Sequence, residues 1–209
     1  MTKKSHILTK AVVVVMIFIQ FGCETHYLSK SSKEYIPYQI GDMLIFQKNN
    51  KQIDTLWITE IEKYVNPDDP LDVFPTRYQT MFVSGEISMR EIKKDIYDRP
   101  ITRRFQQVLE IESDKDGDDH FLFVFDNKNE PFINPRIAKK LSELKNCLNN
   151  VEYSCEIAVK ESYSLASSEE NDLVSFNWSK YHGYKKFKYL NSDEYELIEF
   201  WRNKKNILN

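Results

Sequence analysis

The feature that most constrains this chain is a short apolar run near its start. Ala11 to Ile19 reads AVVVVMIFI without a polar break, and Gln20 ends it after nine residues. A helix that spans a bilayer needs about 20 apolar residues, so this run is too short to be an anchor. Lys3, Lys4 and Lys10 give the chain a basic start, and the small Gly22 comes soon after the apolar run. Basic, apolar and small, in that order, is the layout of a secretory signal. The positive charge holds the start in the cytoplasm while the apolar run enters the bilayer. The remainder of the chain is therefore expected to fold in a compartment where disulfides persist.

The residue after Gly22 is Cys23, and Gly22-Cys23 resembles the cleavage site of bacterial lipoprotein signals. The resemblance covers about a tenth of the chain. In such signals the small residue fits the peptidase pocket. The cysteine thiol takes a diacylglyceryl group and becomes the new N-terminus. Gln20 and Phe21 depart from the Leu-like and small residues favoured at those places, as in the looser signals of some Gram-negative groups. The resemblance implies lipidation at Cys23 and a cell-envelope location, lipid-anchored at the outer membrane and facing the periplasm. The expected organisation is a signal peptide over residues 1–22, a lipidated N-terminus and flexible tether over 23–39, and one strand-rich globular domain over 40–209.

Cleavage before Cys23 leaves 187 residues, a length that favours one domain with a sizeable core. The signal holds three of the 29 basic residues and no acid, so the mature part carries 26 Lys+Arg against 32 Asp+Glu, a net charge of −6. No basic stripe remains, which argues against nucleic acid as a partner. The acidic balance also argues against an electrostatic grip on anionic lipid, and leaves membrane attachment to acyl chains. With Cys23 assigned to lipid, Cys147 and Cys155 are left, with seven residues between them. They are expected either as a disulfide or as two buried thiols, because spacing does not decide pairing.

Thirteen Phe, twelve Tyr and three Trp lean the composition towards strands. Only five glycines are present, so turns are expected at Asn and Asp clusters, which tolerate left-handed backbone. Glu24 to Tyr38, polar and without periodicity, reads as the tether. Met43 to Gln47 and Ile53 to Glu62 predict a hairpin across Asn49-Asn50. Asn66 to Pro75 reads as a loop by its three prolines, and Arg77 to Ile87 as a strand. Ser88-Met-Arg-Glu91 has capping-box spacing, which predicts a short helix ending before Pro100. Arg103 to Ser113 and His120 to Asp126 predict a second hairpin, its apolar second strand buried on both faces. Asn134-Pro135, followed by Ile137, Leu141, Leu144 and Leu148, predicts a helix from Pro135 to about Leu148. Cys155 to Tyr163 reads as a strand and Ser164 to Asn171 as a loop. Strands over Asp172 to Trp178, Tyr184 to Leu190 and Tyr195 to Trp201 form a closing meander. The fold class expected is α+β, mostly β: a bent antiparallel sheet, an open half-barrel-like meander, with one or two short helices.

Four groups invite a chemical reading. Asp114, Asp116 and Asp118 cluster around Gly117, as a hard cation would require. An EF-hand loop places its glycine sixth and a Glu twelfth, whereas here Gly117 is fourth and Phe125 twelfth. A hairpin turn accounts for the same residues and is the preferred reading, with a cation site the alternative. Asp68, Asp69 and Asp72 make a second acidic cluster, read as a solvated loop. His120 and His182 belong to no recognisable catalytic motif. Trp178, Tyr184 and Tyr189 gather about a turn, either as strand-end core or as a ligand or partner patch, since Trp and Tyr dominate binding hot spots.

The opening Tyr38-Gln-Ile-Gly41-Asp42 with its strand Leu44-Ile45-Phe46, and the closing Trp178-Ser-Lys…Gly183-Tyr184 hairpin, resemble the small uncharacterised lipoproteins of Gram-negative envelopes. That resemblance implies no activity, so no site is carried over. The expected function is a non-enzymatic, membrane-anchored envelope lipoprotein that binds a protein partner or an apolar ligand, with no cofactor. An immunity-type inhibitor of a toxin and a cation-dependent secreted enzyme using the acidic loops are the alternatives.

Overall fold

The structure is a computed structural model, and it describes residues 24–49, 52–67, 76–94, 100–124, 136–149, 154–159, 173–190 and 192–208. The signal, Cys23, the Asp68, Asp69 and Asp72 cluster, and the loop expected over Ser164 to Asn171 lie outside these residues. So does most of the proline loop.

The described chain is mostly antiparallel β-sheet, curled into a half-barrel with two short helices. Strand β1 (Thr25–His26) and helix α1 (Lys30–Glu34) come first. Next are β2 (Met43–Lys48), β3 (Gln52–Pro67), β4 (Arg77–Lys94), β5 (Pro100–Glu112), β6 (His120–Val124) and β7 (Arg136–Lys140). After helix α2 (Leu141–Asn149) come β8 (Cys155–Ala158), β9 (Leu173–Ser179), β10 (Gly183–Tyr189), β11 (Glu194–Arg202) and β12 (Lys205–Asn206). Along the sheet the order is β7-β6-β5-β4-β3-β2-β11-β10-β9-β8, with β1 on β4 and β12 on β11.

The hairpin expected from Met43 and Ile53 forms in the register Met43↔Trp57 to Lys48↔Gln52. Asn49 takes a positive φ of 45° beyond β2, the conformation an asparagine turn supplies. The closing meander forms too, and its last long strand β11 lies beside β2, with Trp201 opposite Met43. That non-local pairing joins the two ends of the chain into one sheet.

Inward residues alternate with half-buried outward ones. Leu56 and Ile58, Met81 and Val83, and Phe121 and Phe123 are buried in a common core, whereas Trp57, Phe82 and Leu122 between them are partly exposed. The β6 strand is therefore fully covered on only one face. Burying each such side chain contributes about 1.5–3 kcal/mol. Across the interior, the Phe123 ring of β6 lies 4.9 Å from both Phe176 and Trp178 of β9. The curl thus brings distant strands into contact.

Three further expectations are corrected. Ser88 does not cap a helix: β4 runs on as a strand to Lys94, and the Ser88 hydroxyl accepts the Thr55 amide of β3 at 2.9 Å. The capping-box pattern lost to a neighbouring strand that offered the same hydroxyl a partner. The helix expected from Pro135 is half strand. Arg136–Lys140 pairs with β6, with Ile137 opposite Phe123, and only Leu141–Asn149 is helical.

The third correction is the tether. Residues 24–38 are part of the fold. Thr25 and His26 pair in parallel with Arg77 and Tyr78, and Leu28, Ser32, Tyr35 and Tyr38 are buried. Leu28, Ser32 and Tyr35 recur at helical spacing, so α1 presents one face to the sheet.

Candidate functional site

The side chains with the most specific geometry are those that fasten residues 24–42 to the sheet. They form two sets. In the first, Asp119 is fully buried. It accepts the Ser29 amide at 2.8 Å, the Ser32 hydroxyl at 2.5 Å and the Asp114 amide at 3.2 Å. Ser29 is the N-cap of α1, its hydroxyl accepting the Ser32 amide at 3.0 Å. A buried carboxylate with three donors is satisfied, and removing it would strand those donors.

The second set lies at Tyr38 to Asp42. Asp42, also buried, accepts Arg202 through both oxygens and the Gln39 amide at 2.7 Å. Arg202 also donates to the Pro37 carbonyl. A guanidinium gripping a carboxylate with two bonds fixes orientation as well as charge. Beside it, the buried Tyr38 hydroxyl accepts the Tyr184 amide at 3.0 Å. Burial pushes the Tyr38 hydroxyl far above the ordinary tyrosine range, so it stays protonated. Gly183 makes room for that ring. Its φ is +71°, and a β-carbon built there overlaps Tyr38 Oη and Cζ and comes within 2.7 Å of Cε1.

The acidic loop before β6 is occupied by structural bonds. Asp114 accepts the Lys115 amide at 2.6 Å and lies 3.2 Å from His120 Nε2 and 3.6 Å from Lys140 Nζ. Burial pushes its carboxyl up, but these three neighbours together bring it below its ordinary value. Asp118 accepts the Ser142 amide at 2.7 Å and the Ser142 hydroxyl at 2.6 Å, capping the start of α2 from a distant loop. Burial raises Asp118 too, and Ser142 and Lys140 outweigh it, so the net shift is again downward. The Asp119 carbonyl takes the Leu141 amide at 2.9 Å. One loop therefore holds both helices. Among the described residues no group of three His, Cys, Asp or Glu is placed to hold a metal ion. Asp116 stands in the turn of this loop, beside Gly117 at φ +71°.

The aromatic group is core rather than patch at two of its three members. Trp178 is 0% exposed and Tyr184 3% exposed, and only Tyr189 is half-buried. Tyr184 donates its hydroxyl to the Val108 carbonyl of β5 at 2.9 Å, across the interior. Rings of Tyr38, Phe123 and Tyr184 lie against Trp178, whose Nε1 has no hydrogen-bond partner among the described residues. The curl of the sheet closes over the turn that these residues flank, which is why a local cluster became interior.

Cys147 of α2 and Cys155 of β8 are bonded as a disulfide with their Cα atoms 5.6 Å apart. α2 follows β7, one end of the sheet order, and β8 is the other end. The bond therefore ties the two edges of the open half-barrel together. It also removes both thiols as nucleophiles. The folded part holds a third histidine beyond the two noted from the sequence: His26 stacks on Tyr78 at 5.3 Å. His120 partners Asp114, and His182 lies 3.3 Å from the Ile207 carbonyl. Burial lowers the His182 pKa, favouring its neutral form.

Comparison with protein-family models, with curated proteins and with solved structures returns no match.

Proposed function

We propose that this chain is a lipid-anchored protein of the cell envelope, held at the outer membrane through Cys23 and facing the periplasm, whose folded part binds rather than catalyses. The observation that carries the reading is the N-terminal order of three lysines, nine apolar residues and Gly22-Cys23. The Cys147–Cys155 bond supports it, since such bonds persist in oxidising compartments. Among the described residues no helix is long and apolar enough to cross a membrane. Two or three acyl chains hold a protein stably where one does not.

What favours binding over catalysis is how the reactive groups are used. The two cysteines beyond Cys23 are bonded to each other, and Asp114, Asp118 and Asp119 are engaged by His120, Ser142 and α1. The partner is an envelope protein or an apolar ligand. The test is Cys23→Ala in a Gram-negative host. The expected product is unprocessed or soluble. A variant that is processed normally and stays with the membrane would overturn the reading.

A further inference from the structure

The first described residue after Cys23 is already part of the sheet. Arg77 donates its amide to the Glu24 carbonyl at 2.8 Å, and β1 begins at Thr25. Consecutive Cα atoms are about 3.8 Å apart, so a lipid on Cys23 is joined to a fixed end of the fold with no slack. Resting on the lipid-anchor reading above, we propose that the domain lies directly on the bilayer surface, and that the end of the sheet around Glu24, where β1, β3 and β4 meet, is its membrane-facing side.

The residues at that end fit the polar–apolar boundary of a bilayer. Tyr27, just after β1, is 64% exposed, and Tyr64 and Val65 near the end of β3 are 44% and 43% exposed. The register brings them to one end of the sheet but onto its two faces: Arg77 lies opposite both Thr25 and Pro67, Gln79 opposite Val65, and Thr80 opposite Tyr64. Tyr64 thus shares a face with Tyr78 and Phe82, and its ring packs on Phe82 at 5.8 Å, beside the His26–Tyr78 stack. Tyrosine, with an apolar ring and a polar tip, collects at head-group depth. The exposed Lys63 and Arg77 stand at the same end, on the face opposite these rings, and long basic side chains lay their stems along apolar surface while the charge stays in water. Glu24 and Glu62 offset that charge, and Asp68, Asp69 and Asp72 follow Pro67 in the chain, so this end has no electrostatic grip on anionic lipid and depends on the acyl anchor to be held in place. Its occupant is the membrane itself, because the chain's attachment point ends there.

The test uses the full lipidated chain, purified from membranes and reconstituted in phosphatidylethanolamine–phosphatidylglycerol vesicles carrying a head-group nitroxide. A fluorophore is placed by Tyr27→Cys, Tyr64→Cys or Ile53→Cys, with Lys63→Cys as a second surface site should either tyrosine variant fail to fold. Ile53 is 49% exposed near the start of β3, about 45 Å along that strand from Pro67. Probes at 27, 63 and 64 are expected to be quenched about threefold or more above the probe at 53, as head-group depth requires. Equal quenching at all sites, on protein whose mass shows lipid at Cys23, would overturn the orientation alone. Protein without lipid at Cys23 would overturn the anchor reading and this proposal with it.

Discussion

Replacing Gly183 with alanine probes the joint between the N-terminal segment and the closing hairpin. The new methyl group meets two separate costs. At φ +71° an L-residue is disfavoured by about 1–2 kcal/mol. The methyl also overlaps the buried Tyr38 ring, and forcing extra volume into a packed core costs about 1–3 kcal/mol. Moving Tyr38 would break its bond to the Tyr184 amide, worth about 0.5–1.5 kcal/mol. The expected loss is roughly 3–5 kcal/mol, read from urea denaturation of an oxidised soluble form beginning at Glu24. In a Tyr38→Ala background the overlap is gone, so Gly183→Ala should cost only the backbone share of about 1–2 kcal/mol. A cost below about 1 kcal/mol in the wild-type background, or the same cost in both backgrounds, would refute the close approach of Tyr38 to Gly183.

Asp119→Ala leaves the Ser29 amide and Ser32 hydroxyl without their acceptor. It should lower stability by about 2–4 kcal/mol and make residues 24–35 the first site cut in limited proteolysis. Trp178→Ala and Tyr184→Ala should each cost about 3–5 kcal/mol as core truncations, measured by the same denaturation. Replacing Cys147 and Cys155 with serine should cost roughly 2–3 kcal/mol for so short a loop, and thiol labelling of the unreduced, denatured wild type should find neither cysteine free. Acid should destabilise the protein in two stages. His182 is held below its ordinary pKa, so the unfolded state binds its proton first, and stability falls as pH drops below about 6.5. Asp114, Asp118 and Glu156 also lie below their ordinary values; the stability they contribute is complete above about pH 4–5 and is lost as pH falls through their folded values. Thermal midpoints across pH 3–8 check both stages.

Local patterns were legible in the sequence where their partners were also local. The β2–β3 hairpin and the β9–β10–β11 meander were readable because each strand pairs with its neighbour in the chain. In the meander Phe187 and Tyr189 pack on the core, while Lys186 pairs with Glu194 at 2.7 Å and Lys188 with Glu156 at 3.0 Å. That is the half-wet face that the alternation implied. Features set by distant partners were not legible. Ser88 looks like a cap until Thr55 claims its hydroxyl, and the real cap of α2 is Asp118, far earlier in the chain. The docked segment 24–38 was hidden by its Ser- and Lys-rich composition, and its fastening residues Asp119, Gly183 and Arg202 are remote. The one local clue was the spacing of Leu28, Ser32 and Tyr35. For the candidate site, the turn reading of Asp114 to Asp119 came from the flanking strands, but its use in holding both helices required the fold. Trp178 and Tyr184 became core because β9 and β10 curl over β5 and β6, a contact absent from any local window.

Lipid attachment at Cys23 is the claim on which the envelope location, the function and the membrane-facing end all depend. Mass spectrometry of the N-terminal peptide from protein extracted out of the membrane fraction tests it most directly. The account predicts a chain that begins at Cys23 and carries a thioether-linked diacylglyceryl group. A chain that begins elsewhere, or that presents Cys23 as an unmodified residue, would contradict it.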